Sequence, residues 1–164
     1  TSIGATAEYS TNTSKILRQS VITNYQFNSF FISANLAFNL IKYIRLTDNY
    51  RWTISQSKAG NYINTIRNIS NETSLDVTFL PDRLLLNTNL QYTHNSGFTD
   101  RKDYTFMTVS ITFKPSKKVQ LVLNFDNILN TDTFVYRSNS NLTEGYTLYQ
   151  LRPRCVMLTT HFAL

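Results

Sequence analysis

Residues 44–55 read IRLTDNYRWTIS. Taking every second letter splits the stretch in two. Ile44, Leu46, Asp48, Tyr50, Trp52 and Ile54 are apolar save for Asp48, whereas Arg45, Thr47, Asn49, Arg51, Thr53 and Ser55 are wholly polar. Successive side chains of a strand point to opposite faces, so a period of two marks a β-strand with one apolar and one polar face. Helical spacing explains none of it. Asp48 breaks the apolar set. It calls for a bulge that shifts the register, a polar partner on a neighbouring strand, or a local failure of the face assignment.

The same alternation runs outward in both directions. Upstream, Phe30, Ile32, Ala34, Leu36 and Phe38 alternate with mostly small or polar residues, Phe31 being the exception, and Ile3, Ala5, Ala7 and Tyr9 form a weaker copy. Downstream come Thr73, Leu75, Val77, Phe79, then Leu84, Leu86, Thr88, Leu90, Tyr92, then Met107, Val109, Ile111, Phe113, and then Val119, Leu121, Leu123, Phe125. The last run is Val156, Leu158, Thr160, Phe162, Leu164, and it continues to the final residue. The reading is therefore all-β, with about eight strands of roughly ten residues and no helix.

The connections alternate in length. NLIKY, LPDR and KPSKK are tight, whereas SKAGNYINTIRN, NSGFTDRKD and DNILNTDTFVYRSNSNLTEGYTLYQLRP are long. An outer-membrane barrel has this asymmetry, with short periplasmic turns and long external loops. In that topology Phe38, Phe79, Phe113 and Phe162 all fall at the periplasmic ends of descending strands, as an aromatic girdle at the membrane interface requires. A soluble lipocalin-like barrel or a β-sandwich would bury the same apolar faces instead. Length regularity, loop asymmetry and the common Phe level favour an antiparallel up-and-down transmembrane β-barrel, with residues 1–164 forming one segment of it.

Composition narrows the classes further. No run of about 18 or more apolar residues occurs, so no transmembrane helix is expected. The chain begins at Thr1 with no basic-then-apolar signal segment, and is read as a mature chain or a piece of a larger one. The net charge of +6 comes from Lys and Arg scattered singly or in short pairs, with no basic block and no nucleic-acid motif, so no nucleic-acid partner is expected. His94 and His161 are isolated from any Cys or carboxylate at metal-ligand spacing, and the single Cys155 makes no internal disulfide. With no phosphate loop, nucleophile elbow or paired carboxylates, the chain reads as a non-enzyme needing neither cofactor nor metal.

Candidate functional positions follow from the barrel reading. Arg45, Arg51, Asp76, Gln91, Asn124 and Asp126 are lumen-facing, where they could touch a plug or a passing solute. Tyr62, Phe98, Phe134, Tyr136, Tyr146 and Tyr149 lie in the external connections, where exposed aromatics can stack on a ligand. Arg152 and Arg154 flank Pro153 at the start of the last strand, a position where proline costs no ladder bond.

The C-terminal region resembles a known family. LVLNFDNILNTDTFVY, a polar spacer and YTLYQLRPRCVMLTTHFAL are similar to the end of Bacteroidetes-type TonB-dependent outer-membrane receptors, with their N-L-F-N-T-like turn and closing L-R-P-R-S-like strand. Here the turn is Asn127 to Thr131, with Ile128 and Leu129 where Leu and Phe are usual, and the closing motif is Leu151, Arg152, Pro153, Arg154, then Cys155 in place of Ser. The chain ends in Leu164 where a terminal Phe is usual. These motifs cover roughly the last 45 residues.

The resemblance implies the C-terminal wall of a larger, plugged barrel in the bacterial outer membrane. Such a receptor imports a nutrient such as an oligosaccharide, peptide, siderophore or cobalamin. Its partners would be outer-membrane lipid, the barrel assembly machinery reading the last strand, and a TonB-type energy transducer acting through an N-terminal region absent here. That last strand would also pair with the first to close the barrel. A self-contained small barrel with a structural or adhesive role, and a soluble sugar-binding β-sandwich, are the other readings.

Overall fold

The computed structural model describes residues 1–18, 21–80, 83–96, 103–139 and 144–162. Ten strands account for most of them: β1 (Ser2–Arg18), β2 (Val21–Ile41), β3 (Ile44–Ala59), β4 (Tyr62–Leu80), β5 (Leu84–Asn95), β6 (Asp103–Ser116), β7 (Val119–Asp126), β8 (Thr133–Asn139), β9 (Glu144–Gln150) and β10 (Cys155–Phe162). Eight form one antiparallel sheet in the order β1-β2-β3-β4-β5-β6-β7-β10, and β8 and β9 form a separate hairpin. The end of the sheet carrying the 42–43 and 117–118 turns is called lower here.

The registers place every alternating set on one side. Ile3 pairs with Leu36, Leu36 with Asp48 and Phe38 with Leu46. Further along, Leu86 pairs with Ile111, Ile111 with Leu123 and Leu123 with Leu158. Partners in a β-ladder share a face, so the apolar residues of all eight strands make one continuous apolar face. The opposite face is polar. Arg45 opposes Asp76, Asp76 opposes Asn87, Asn87 opposes Ser110 and Ser110 opposes Asn124 in a single row.

Almost nothing is buried. Tyr25, Ile66 and Tyr104 are the buried hydrophobic residues among those described, and all three lie on the polar side. A compact monomer of 19.0 kDa would expose about 8,400 Å² by the usual scaling. This chain exposes 11267 Å². The difference reflects a sheet whose apolar face no other described element covers, so the described strands do not build the two-sheet core of a sandwich. The sheet is also open. Among the described residues β1 pairs with β2 alone and β10 with β7 alone, so the last strand does not close onto the first.

The tight connections at Lys42–Tyr43 and Lys117–Lys118 are turns, as expected. Residues 57–68 correct the sequence reading. They form no long loop: β3 and β4 continue to Ala59 and Tyr62 and meet in a two-residue turn at Gly60 and Asn61. Gly60 has φ 59°, a left-handed conformation that glycine adopts without steric cost. The alternation fades there because polar residues stand on both faces and Ile63 and Ile66 fall on opposite sides. On the side continuous with the apolar face, Gln56 Nε2 donates to Thr65 Oγ1 at 3.3 Å, and Thr11 Oγ1 to Asn28 Oδ1 at 2.8 Å. The first four strands thus outrun the apolar belt at the upper end. The 28-residue connection DNIL…QLRP likewise holds the β8–β9 hairpin, and most of NSGFTDRKD lies outside the described residues.

Asp48 keeps its place on the apolar face without a bulge, since the β2–β3 register slips only between Asn39 and Ile41. Its carboxylate accepts from Thr73 Oγ1 at 2.6 Å and from Asn71 Nδ2 at 2.9 Å on the adjacent strand. Of the three explanations, the neighbouring partner is the one found. Thr73→Val should cost about 2 kcal/mol, because it leaves a charged acceptor half-satisfied. Asp48→Leu in the same background should recover most of that loss, since the apolar pair leaves nothing unpaired. Urea midpoints of the single and double variants would check both.

Candidate functional site

The polar face carries a network of amides and carboxylates. Glu72 Oε1 accepts from Asn89 Nδ2 at 2.8 Å and from Gln91 Nε2 at 3.4 Å, and Asn89 Nδ2 also reaches Ser74 Oγ at 2.9 Å. Asp76 Oδ1 accepts from Asn87 Nδ2 at 2.5 Å. Two adjoining hollows open on this face. One of about 460 Å³ is lined by Ser33, Asn35, Asn49, Arg51, Glu72 and Gln91 among others. The other, of about 390 Å³, is lined by Phe27, Ser29, Arg51, Ile66, Asn68 and Asn95 among others. Arg51 borders both, and its guanidinium lies 4.9 Å from the ring centre of Phe31. That contact gives Phe31, one of three aromatic residues on the polar side of β2 with Tyr25 and Phe27, a polar-face partner.

All six residues assigned to the lumen by alternation, Arg45, Arg51, Asp76, Gln91, Asn124 and Asp126, lie on this polar face. Arg51 and Gln91 line the first hollow. Asp126 sits instead at the upper end of β7 beside Cys155, whose Sγ is 3.8 Å from Oδ2. Sequence reasoning missed Glu72, Asn87 and Asn89, which the register joins into the network.

Above the sheet, the turn after β7 ties three segments together. Asn127 has φ 50° and Asn130 φ 55°, left-handed values that asparagine tolerates better than other non-glycine residues. Asn127 Nδ2 donates to Thr131 O at 2.7 Å and to Arg152 O at 2.9 Å, while its Oδ1 accepts from Thr131 N at 2.9 Å. Thr131, 4% exposed, donates through Oγ1 to Thr105 O at 2.7 Å. Asn130 Oδ1 accepts from Arg154 N at 3.2 Å. The NILNT turn and the LRPR segment, about 25 residues apart in sequence, are therefore one hydrogen-bonded unit. It engages the backbone of Arg152 and Arg154 and leaves both residues exposed.

That unit aims the β8–β9 hairpin at the polar face. Phe134 packs edge-on against Tyr104, ring centres 5.1 Å apart, and against Phe106 at 5.8 Å, and it stacks on Tyr149 at 6.0 Å. Tyr104 and Phe106 oppose Thr93 and Gln91, so both stand on the polar face. Two of the predicted loop aromatics, Phe134 and Tyr149, are thus brought together. Tyr62 and Tyr146 are exposed at the β4 tip and in β9. Phe98 lies outside the described residues, as does the side chain of Tyr136. Tyr104 and Phe106 were legible only as aromatics on the wrong parity of their strand.

Phe134→Ala should free the hairpin while sparing the sheet, because edge-to-face aromatic contacts add about 0.5–1.5 kcal/mol each beyond the buried area. Backbone amides of 133–150 should then exchange roughly tenfold faster or more, and those of β4 and β5 should not change.

His94 is less isolated than its sequence neighbours suggested. The register sets it opposite Asp103, with Nδ1 2.8 Å from Oδ1, and Tyr92 Oη donates to the same carboxylate oxygen at 2.6 Å. The three residues stand on the apolar side near its upper margin, where the Phe30 and Trp52 rings also meet, 5.9 Å apart. Among the described residues no group of three or more His, Cys, Asp or Glu side chains converges as a metal site would need. Among the described residues no helix is long and apolar enough to cross a membrane, a statement that does not bear on strands.

Fold and site together define an all-β protein: an antiparallel sheet with one apolar and one polar face, and a hairpin docked on the polar one. Compared with known proteins, the chain matches no family model, no curated protein and no solved structure.

Proposed function

We propose that this chain is part of the wall of an outer-membrane β-barrel, in a TonB-dependent receptor that imports a nutrient ligand. The observation that carries the reading is the segregation of faces. Eight strands contribute apolar side chains to one uncovered face, in a belt of roughly ten residues per strand, the length needed to span a bilayer at the usual tilt. Lipid is the medium that such a face matches. The open edges of β1 and β10 also favour a larger barrel over a self-contained small one, because an unpaired strand edge in lipid is prohibitive and further strands would satisfy it.

Aromatic residues at both margins of the belt support the same reading: Phe38, Phe79, Phe113 and Phe162 below, Tyr9, Phe30 and Trp52 above. The polar face then lines the lumen, and the docked hairpin lies between lumen and exterior. Arg51 and Gln91 would meet the plug or the solute, and Phe134 and Tyr149 the arriving ligand. The role is non-catalytic. The last strand would be read by the barrel assembly machinery, and the TonB-type transducer would act through the N-terminal plug region of the full protein.

Fractionation of native cells with an antibody to this segment tests the reading. The expected result is an outer-membrane band several times heavier than 19.0 kDa. A band of that size itself in the same fraction would point to a small independent barrel, and a soluble band would overturn the membrane assignment.

A further inference from the structure

Around Arg51 the polar face carries hydrogen-bonding capacity that the chain itself does not use. Arg51 opposes Ser70 across the β3–β4 ladder, and β4 presents Asn68, Ser70 and Glu72 in one column on that face. Asn68 and Glu72 therefore stand diagonally on either side of Arg51, each about 7 Å along the strand from Ser70. Diagonal neighbours with long side chains are within reach of each other, yet Arg51 and Glu72 form no ion pair. Each is held elsewhere. The guanidinium lies 4.9 Å from the ring centre of Phe31, and among the described residues it makes no hydrogen bond. The Glu72 carboxylate is held through Oε1 alone, by Asn89 and Gln91. Asn68 Oδ1 is buried and accepts no hydrogen bond. A buried acceptor of that kind is costly unless a donor arrives from outside the chain.

These groups share one opening. The hollows of about 390 and 460 Å³ meet at Arg51, with Asn68 lining the first and Glu72 the second. Each is of a size that takes a small molecule. The groups ask for different things. Arg51 calls for an anion with two oxygens, Asn68 Oδ1 for an N–H or O–H donor, and Glu72 Oε2 for a cation. A neutral sugar would answer Asn68 through its hydroxyls but leave the guanidinium without an anion, and the Phe31 ring it might stack on already has Arg51 over it. A free phosphate would suit Arg51 and be repelled by Glu72. A peptide answers all three, with its terminal carboxylate on Arg51, an amide N–H on Asn68 and an ammonium group towards Glu72. Phe27 and Ile66 line the first hollow and give a side chain an apolar wall.

We infer that this part of the polar face is a binding site for short peptides with a free C-terminal carboxylate. The inference rests on the import reading above and narrows the nutrient to one class.

The test uses the full-length protein purified in detergent from the outer-membrane fraction. It is dialysed to equilibrium against a tryptic digest of casein and, separately, against maltotriose, and the retained solutes are identified by mass spectrometry. The wild type should retain peptides and no maltotriose. Arg51→Gln, in protein that keeps the heat-dependent mobility shift of a folded barrel, should retain on the order of tenfold less peptide, because a charge-assisted pair is lost. The wild type should show a similar loss when the carboxyl groups of the peptides are converted to methylamides. Asn68→Ala should retain roughly threefold less, and Thr159→Ala, on the polar face of β10, should match the wild type. Equal peptide retention by Arg51→Gln and the wild type, retention of maltotriose in place of peptide, or retention of neither would overturn the site and leave the barrel wall standing. Absence of the protein from the outer-membrane fraction would remove the lumen, and this site with it.

Discussion

Leu123→Arg is expected to cost about 2–4 kcal/mol of folding stability in a bilayer, and Asn124→Arg, one residue along, close to nothing. Leu123 stands mid-strand on β7 with Ile111 on one side and Leu158 on the other, in the apolar row that also holds Leu86 and Val77. Its side chain points where lipid is proposed to be. An arginine there must either desolvate its charge or distort the bilayer to keep it wet. Asn124 points the opposite way, between Ser110 and Met157 on the polar face, where a cation meets water and neighbouring polar groups. The check is a urea titration of the full-length protein folded into vesicles, followed by the heat-dependent mobility shift of the folded barrel. The contrast between adjacent residues is the informative part. If Leu123→Arg were neutral and Asn124→Arg damaging, the apolar face would not be the one that meets lipid.

Asn127→Ala is expected to cost about 4 kcal/mol, a large loss for a single half-buried turn residue. Three side-chain hydrogen bonds vanish, at about 1 kcal/mol each, and alanine must also occupy φ 50°, where a Cβ without a polar side chain is disfavoured. Asn127→Gly separates the two contributions. It removes the bonds but suits the left-handed backbone, so it should be the milder variant by roughly 1 kcal/mol. The loss should be local at first. With Asn127 gone, the carbonyls of Thr131 and Arg152 lose their donor, the start of β10 is released, and the β8–β9 hairpin loses the anchor that aims Phe134 at Tyr104. Faster amide exchange at the start of β10 and in the hairpin, ahead of any change in β2–β4, would bear this out. Uniform destabilisation of the whole sheet would show instead that the turn acts globally. In cells the expected readout is lower outer-membrane abundance, because the segment released is the one proposed to be read during barrel assembly.

These two variants probe the chain at opposite degrees of legibility. Leu123 was assigned to its face from period two alone. Asn127 was visible in the sequence only as part of a motif, and nothing in the letters indicates that its amide bridges to Arg152.

What the sequence by itself determined is the strand character of the chain and the side on which each alternating residue falls. Both are local properties. A pleated backbone sends neighbours to opposite faces whatever the partner strand is, so Ile44 to Ser55 declare their two faces unaided. The tertiary structure decided everything that depends on which strand lies beside which. Asp48 is tolerated on the apolar face because Thr73 lies opposite it and Asn71 diagonal to it. His94 meets Asp103 across a hairpin whose register the intervening residues do not encode. The strands run on past the apolar belt through residues 57–68, where polar residues stand on both faces and the alternation carries no signal although the ladder bonds continue. The turn at Asn127 and the hairpin it aims join residues about 25 to 30 positions apart, and Arg83 meets Lys114 at a similar distance. Side-chain period is a single-strand property, whereas register, edge and docking arise only when two distant segments share hydrogen bonds. The two edges left open at β1 and β10 are likewise a property of the assembled sheet.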